Sequence, residues 1–173
     1  MPTPIMRPVA ILAIALTLAA ATACGGRSEP PAPIGEDAAA LRQAPTTSAE
    51  LAGFTYRLET YLWRDFAPGP DVGSGGRPLI AVARVAVNGE TAAFPAAVTV
   101  DRLWVINADE IWETAPREEQ PRGSLNARTI EVVGRDGPRW GPGITVDVVV
   151  RLRGPGGATT LLRAAGQPIN RTD

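Results

Sequence analysis

Large apolar side chains alternate with polar or small ones over much of the chain, and this alternation constrains the fold more than any other feature. It is clearest in the segment ITVDVVVRL, which places five residues on one side: Ile144, Val146, Val148, Val150 and Leu152. Successive side chains of a β-strand point to opposite faces, so a period of two predicts a strand with one buried face. Residues 50–173 contain no helical periodicity of useful length. The sequence therefore predicts an all-β domain.

Seven segments of this kind are separated by turns rich in Gly and Pro. They are 54–63, 79–87, 98–107, 110–114, 125–133, 144–152 and 159–165. Several short strands with turn residues between them are typical of an antiparallel β-sandwich, and a small barrel or a jelly roll is the alternative. The first segment is long and free of Pro, which predicts an exposed edge strand able to pair with another chain.

Trp104 lies in the third predicted strand, where the alternation gives it the same face as Val98, Val100 and Ile106. The number and spacing of the strands, with a Trp in the third, resemble an immunoglobulin-like domain in the broad sense that includes fibronectin type III. This resemblance implies a single antiparallel immunoglobulin-like β-sandwich of about seven strands, with Trp104 in its core. The cysteine pair of antibody domains is absent from the sequence. The resemblance concerns architecture and implies no function.

The first 24 residues have the layout of an export signal. A short positive start, made by the Met1 amine and Arg7, is followed by fifteen mostly apolar residues, Val9 to Ala23. That run is too short to cross a hydrocarbon core of about 30 Å, but it has the length of a signal-peptide core. It ends in small residues directly before Cys24, the single cysteine of the chain.

This layout resembles the type II signal peptide of bacterial lipoproteins, although Ala21 stands where that family usually has Leu. The resemblance implies that residues 1–23 are removed, and that Cys24 carries a diacylglyceryl group and becomes the mature N-terminus. It also implies anchoring in the lipid bilayer of the cell envelope. Because Gly25 rather than Asp follows the cysteine, a two-membrane bacterium would hold the protein at its outer membrane, facing the periplasm. The alternative is an ordinary secretory signal that leaves a free thiol.

Residues 24–49 are predicted to be the lipidated cysteine followed by a linker rich in Pro and Ala. A stretch with few large apolar side chains cannot bury enough surface to offset the entropy lost on ordering. Within it, residues 36–44 (EDAAALRQA) contain good helix formers and are compatible with a short, marginal helix. The remaining 124 residues, 50–173, have the usual size of one domain.

The composition excludes several kinds of chemistry. All 17 basic residues are Arg, and the chain has no Lys, no His and one Cys. The commonest general bases and the Schiff-base nucleophile are therefore missing, as are an internal disulfide and a Cys/His zinc site. A net charge of −1 also argues against non-specific nucleic-acid binding. We predict no catalytic residue, no cofactor and no metal, with the acidic group Asp109, Glu110 and Glu113 as a solvated hairpin tip.

Aromatic and arginine side chains mark the candidate interaction surface. All four Trp residues lie in the predicted domain, and Tyr61, Trp63 and Arg64 stand together at the end of the first strand. Trp, Tyr and Arg are the residue types enriched at binding hot spots. The predicted surface comprises Tyr61, Trp63, Arg64, Trp112 and Trp140. The alternative is that the rings fill the ends of the sandwich, with Arg side chains stacked on them.

Together these features predict a membrane-anchored lipoprotein of the cell envelope whose domain is a non-catalytic binding or protein-interaction module. Its partner would be an envelope protein or ligand that the sequence does not identify. One alternative is a structural or assembly lipoprotein. The other is a small carbohydrate-active enzyme using Asp and Glu, which requires two carboxylates about 5–10 Å apart in a groove.

Overall fold

The computed structural model describes residues 37–69, 75–89, 93–120, 122 and 126–173, all within one compact unit, Gly35–Asp173. The elements of these residues are α1 (Ala38–Leu41), β1 (Ala49–Leu51), β2 (Phe54–Asp65), β3 (Leu79–Val87), β4 (Thr99–Asn107), β5 (Glu110–Thr114), β6 (Thr129–Gly137), β7 (Thr145–Arg153), a 3₁₀ turn (Pro155–Gly157) and β8 (Thr159–Thr172). No helix among them is long and apolar enough to cross a membrane. The predicted signal peptide, Cys24 and the linker up to residue 36 lie outside the described residues.

The strands form one curled sheet with the order β5-β4-β7-β8-β2-β3-β6, and β1 adds to β2. The predicted all-β fold is therefore confirmed. Every neighbouring pair in this sheet is antiparallel except β2 and β8, which run parallel from Leu62↔Ile169 to Asp65↔Thr172. The expectation of wholly antiparallel pairing is wrong at this pair, because β8 extends beyond its pairing with β7 and reaches the first long strand.

β8 joins two halves of the sheet, because it pairs with β7 over its first part and with β2 over its last part. The register between β7 and β8 slips after Val146, where β8 contains an extra residue. Gly166 lies there with a φ of 62°, a left-handed conformation that glycine adopts at little steric cost. Its N–H donates to Asp147 Oδ1 at 2.9 Å. A bulge of this kind bends the strand that contains it, and it directs β8 towards β2.

The predicted strands agree with the structure to different degrees. Segments 79–87 and 110–114 coincide with β3 and β5. The fifth segment, 125–133, differs most, since β6 runs from Thr129 to Gly137 and contains a register shift against β3. The first segment is not a free edge along its whole length, as predicted, because β2 pairs with β3 on one side and, on the other, with β1 at residues 54–56 and with β8 at residues 62–65.

The main core lies between the two halves, β2–β3–β6 and β5–β4–β7–β8. The buried face predicted for the sixth strand is confirmed: Val146, Val148, Val150 and Leu152 are at most 2% exposed, and Ile144 packs against the same cluster. The other side chains of this core include Tyr56, Leu62, Ala83, Val85 and Val132. Burial of each large apolar side chain contributes about 1.5–3 kcal/mol to folding, so this cluster dominates the stability of the unit.

Trp104 is buried, at 1% exposure, but it does not belong to the main core. The register between β4 and β7 shifts after Val100, so that Asp101 is an extra residue and the two faces of β4 exchange. Leu103 and Val105 therefore enter the main core, whereas Trp104 faces the other side of the sheet. For this reason the prediction that Trp104 shares the face of Val100 is wrong.

A second, smaller cluster forms on that other side, where residues 38–44 cover the sheet. Its buried members are Ala38, Leu41, Ala44, Trp104, Ile106 and Val149. Asp37 caps α1, since its side chain accepts the N–H of Ala39 at 3.1 Å. Part of the predicted linker thus forms the short helix and packs on the sheet ahead of residue 50.

Candidate functional site

Tyr61 and Trp63 lie next to each other on the outer face of β2, because residues two apart on a strand point the same way. Their ring centroids are 5.3 Å apart and the ring planes are inclined by 33°. Among the described residues, Tyr61 is the large hydrophobic side chain that stays exposed, at 50%, whereas Trp63 is partly buried. The structure therefore brings these two predicted site residues together at the surface.

The two rings belong to a strip of apolar side chains that crosses three strands. In the strand register, Tyr61 is opposite Val82, which is in turn opposite Val133. Trp63 is opposite Ile80. Directly opposed residues of a sheet share one face. We call this strip the outer patch; it consists of Tyr61, Trp63, Ile80, Val82 and Val133, of which Val82 and Val133 are buried.

A row of paired charges borders the outer patch on one side. Arg84 stands between Glu59 and Glu131 in the strand register, and its Nε lies 2.6 Å from Glu131 Oε2. Arg57 Nη2 approaches Glu59 Oε1 at 3.8 Å. The charges of this row are thus largely compensated within the fold.

A cleft of about 280 Å³ borders the outer patch on the other side. We call it the arginine cleft; it is lined by Arg77, Pro78, Ile80, Arg135, Asp136 and Arg139. Arg135 and Asp136 lie at the register shift between β3 and β6, where Asp136 has a φ of 63°. Ile80 belongs to both features, so the outer patch and the arginine cleft form one continuous surface.

Two of the three arginines of the cleft are paired with carboxylates. Arg77 Nε lies 3.1 Å from Asp65 Oδ2. Arg135 holds Glu119 through two bonds of 2.6 and 2.5 Å, and these bonds lower the pKa of Glu119 and raise the pKa of Arg135. The third, Arg139, donates to a loop carbonyl.

Arg64 lies in the interior and is only 3% exposed. Its guanidinium donates to four backbone carbonyls: Nε to Arg77 at 2.9 Å, Nη1 to Arg139 at 3.0 Å and to Gly141 at 2.8 Å, and Nη2 to Gly75. Burial, and after it the positive charge of Arg139, lowers the pKa of Arg64. Because these bonds fix the backbone of Arg77 and Arg139, Arg64 positions two arginines of the cleft from inside the fold.

Trp112 and Trp140 lie apart from the outer patch. Trp112 points inward from β5 and covers Gly134 and Gly137, where a Cβ on Gly137 would lie within 2.8–2.9 Å of the ring. Trp140 is partly buried against the main core. Both rings therefore pack against the main core.

No sequence pattern singles out Arg77, Arg135 and Arg139, because they come from separate segments that meet only in the folded chain. Ile80 has no such signal either, because segment 79–87 is apolar at almost every position and Val82 and Ala86, which are in phase with Ile80, are buried. Within the described part of the chain, no group of three or more His, Cys, Asp or Glu side chains is arranged to hold a metal. The predicted hairpin tip at Asp109 is exposed in the turn between β4 and β5.

No family model matches the chain, and no curated protein and no solved structure matches it. The outer patch and the arginine cleft are therefore the features that bear on its function. A half-exposed tyrosine and a tryptophan stand there beside several guanidinium groups. This combination of groups suits non-covalent binding.

Proposed function

We propose that the chain is a membrane-anchored lipoprotein of the cell envelope, and that its folded unit is a non-catalytic module that binds another protein through the outer patch. The proposed anchor is Cys24, acylated with palmitate-type chains, and it is supported by the resemblance of residues 1–26 to a type II signal peptide. In a two-membrane bacterium the unit would stand at the outer membrane and face the periplasm.

The fold that we propose is an immunoglobulin-like sandwich. In its support, β2, β3 and β6 are neighbours in one half of the sheet, and β5, β4, β7 and β8 are neighbours in the other. If β2 to β8 are taken in chain order as strands A, B, C, C′, E, F and G, they have the order A-B-E and C′-C-F-G. Among the described residues, no strand takes the place of strand D.

The exposure of Tyr61 beside Trp63 and Ile80 is the observation that carries the proposed binding role. A large ring that stays 50% exposed, next to other apolar side chains and to arginines, has the composition of a binding hot spot. A partner that covers this ring removes apolar surface from water, and this contributes about 25 cal/mol per Å² towards binding before the cost of association is subtracted. The outer patch is therefore the surface where we place the partner.

The carboxylates near the site favour binding over catalysis. Glu119 and Asp136 line one cleft beside the outer patch, as a pair of glycosidase carboxylates would. The bonds from Arg135, however, lower the pKa of Glu119, whereas a general acid needs a raised pKa. Since the chain also lacks His and Lys, we assign no catalytic step to it.

A photo-crosslinking amino acid in place of Tyr61 tests the binding role in cells that carry the chain. We expect p-benzoylphenylalanine at this position to give a discrete protein adduct, and Trp63→Ala to weaken it because the second ring completes the outer patch. Thr99, which is exposed on β4 in the other half, is the control position and should not give this adduct. Equal adducts from both positions, or none from position 61, would overturn the assignment of the outer patch.

A further inference from the structure

The arginine cleft holds more positive charge than its own ion pairs compensate. Arg77 and Arg135 have carboxylate partners in Asp65 and Glu119. Arg139, by contrast, forms no ion pair within 4.0 Å with any described residue, and its guanidinium donates to a backbone carbonyl. A negatively charged ligand would supply the partner that this arginine lacks among the described residues.

A second positive charge lies close behind Arg139. Arg64 is buried, and the hydrogen bonds of its guanidinium go to backbone carbonyls, one of them that of Arg139 itself. Burial lowers the pKa of Arg64, and repulsion by the like charge of Arg139 lowers it further. Asp136 is the one carboxylate among the described residues that line the cleft. The balance of these charges favours the entry of an anion.

The cleft combines these charges with apolar lining and a fixed backbone. Pro78 and Ile80 supply the apolar part of its surface. The bonds from Arg64 to the carbonyls of Arg77 and Arg139 hold both loops in place, so binding of a ligand costs little conformational entropy. A volume of about 280 Å³ is near the lower limit of small-molecule sites and suits one side chain with its charged group.

We infer that the arginine cleft binds a carboxylate that stands beside an apolar side chain on a partner polypeptide. The planar fork of a guanidinium matches the two oxygens of a carboxylate in geometry and charge. The outer patch, continuous with the cleft through Ile80, receives the neighbouring apolar residues. An acidic side chain and a chain terminus share this chemistry. The inference rests on the proposed function, because it names the chemistry of the partner that the outer patch takes.

Arginine side-chain NMR of the full chain in dodecyl maltoside micelles tests this inference with small probes. N-acetyl-leucine presents a terminal carboxylate beside an apolar side chain, and an acetylated, amidated Asp-Leu dipeptide presents a side-chain carboxylate. N-acetyl-leucinamide has the same apolar group without the charge. We expect at least one of the two carboxylate probes to shift the Nε–Hε signal of Arg139, and the uncharged probe to leave it in place.

Variants of the cleft show whether the shift reports binding there. Arg139→Gln should weaken the binding of the better carboxylate probe about tenfold, because one charge-assisted hydrogen-bond partner is lost. Arg139→Lys keeps the charge without the fork, and an intermediate loss is expected. Arg102→Gln is the matched control, since Arg102 is also partly exposed but lies on the other half of the sheet, paired with Glu113. Unchanged backbone signals of β7 would show that each variant is folded.

Three results would overturn the inference: an equal shift with N-acetyl-leucinamide, an equal shift with inorganic phosphate, or unchanged binding in a folded Arg139→Gln variant. An equal shift with phosphate would mean that the cleft accepts any anion. Unchanged binding in the Arg139→Gln variant would mean that the anion binds elsewhere. The crosslinking at position 61 is independent of these measurements. Crosslinked adducts at position 61 without an NMR shift of Arg139 would reject only the carboxylate partner. An NMR shift of Arg139 without adducts at position 61 would reject only the outer patch.

Discussion

At the scale of one residue, the contacts of Arg64 explain why position 64 requires an arginine. Its planar group donates through all three nitrogens to carbonyls of separate segments, a span that the single ammonium of lysine does not cover. The ring of Phe66 lies 5.0 Å from this guanidinium and 4.2 Å from that of Arg171, which adds cation–π contacts to the same region. One side chain thus connects the end of β2 to both loops of the arginine cleft.

Replacement of Arg64 by Met keeps the length of the side chain and removes its donors. We expect Arg64→Met to lower the free energy of unfolding by about 3 kcal/mol, because four carbonyls lose their donor where little water can replace it. Urea unfolding measures this loss. Arg57→Met, an exposed arginine on the same strand, is the control and should stay within about 0.5 kcal/mol of the wild type. Equal losses in both variants would contradict a special role for the buried bonds.

At the scale of the elements, local sequence locates the strands, whereas the bulges that set their faces depend on distant residues. Alternation alone predicts β3 and β5 with their observed bounds. Asp101, the extra residue of β4, is held by Arg151 at 2.8 Å and Arg153 at 2.6 Å, which lie 50 and 52 residues further along. Burial raises the pKa of Asp101, but these bonds outweigh it and lower the pKa below its usual value. A single unbroken period therefore places Trp104 on the wrong face.

The same distinction explains which part of the candidate site is recognisable in the sequence. Tyr61 and Trp63 stand two residues apart on one strand, so the local period already brings their rings together. Arg77, Arg135 and Arg139 approach one another through the pairing of β3 with β6 and through bonds to a buried arginine. Neither relation is encoded within a short window of sequence. Local patterns thus identify the rings of the outer patch, and only the folded chain reveals the arginine cleft.

α1 is too short to be stable alone, so its position depends on what it covers. Leu41 is fully buried in the cluster of Trp104. We expect Leu41→Ala to lower the free energy of unfolding in urea by about 2–4 kcal/mol and to speed solvent exchange of the Trp104 indole N–H. This N–H has no acceptor among the described residues, so only coverage protects it. Gln43→Ala, exposed in the same segment, should change neither quantity. Equally slow exchange in Leu41→Ala would contradict the covering role of α1.

At the scale of the whole molecule, the last strand holds the two halves of the sheet together. β8 pairs with β7 and then with β2, and Asn170 Nδ2 donates to the carbonyl of Leu62 at 2.9 Å. The Thr60 hydroxyl adds a bond of 2.8 Å to Gln167 Oε1. The C-terminal residues thus support the strand that carries both rings of the outer patch. In the sequence, residues 25–36 lie between Cys24, the proposed lipid anchor, and Asp37, which caps α1.

The proposed anchor would determine where the folded unit is held, and it is tested on the full chain. Cys24 is the single cysteine, so Cys24→Ala removes every thiol available for lipid attachment. We expect an alkyne-tagged palmitate analogue to label the wild-type chain and not the Cys24→Ala variant. Ser28→Ala, a small change four residues further on, is the matched control and should keep the label. Equal labelling of wild type and Cys24→Ala would reject the anchor. The anchor needs more than one acyl chain, because each buried methylene contributes only about 0.8 kcal/mol and a single chain holds a protein marginally.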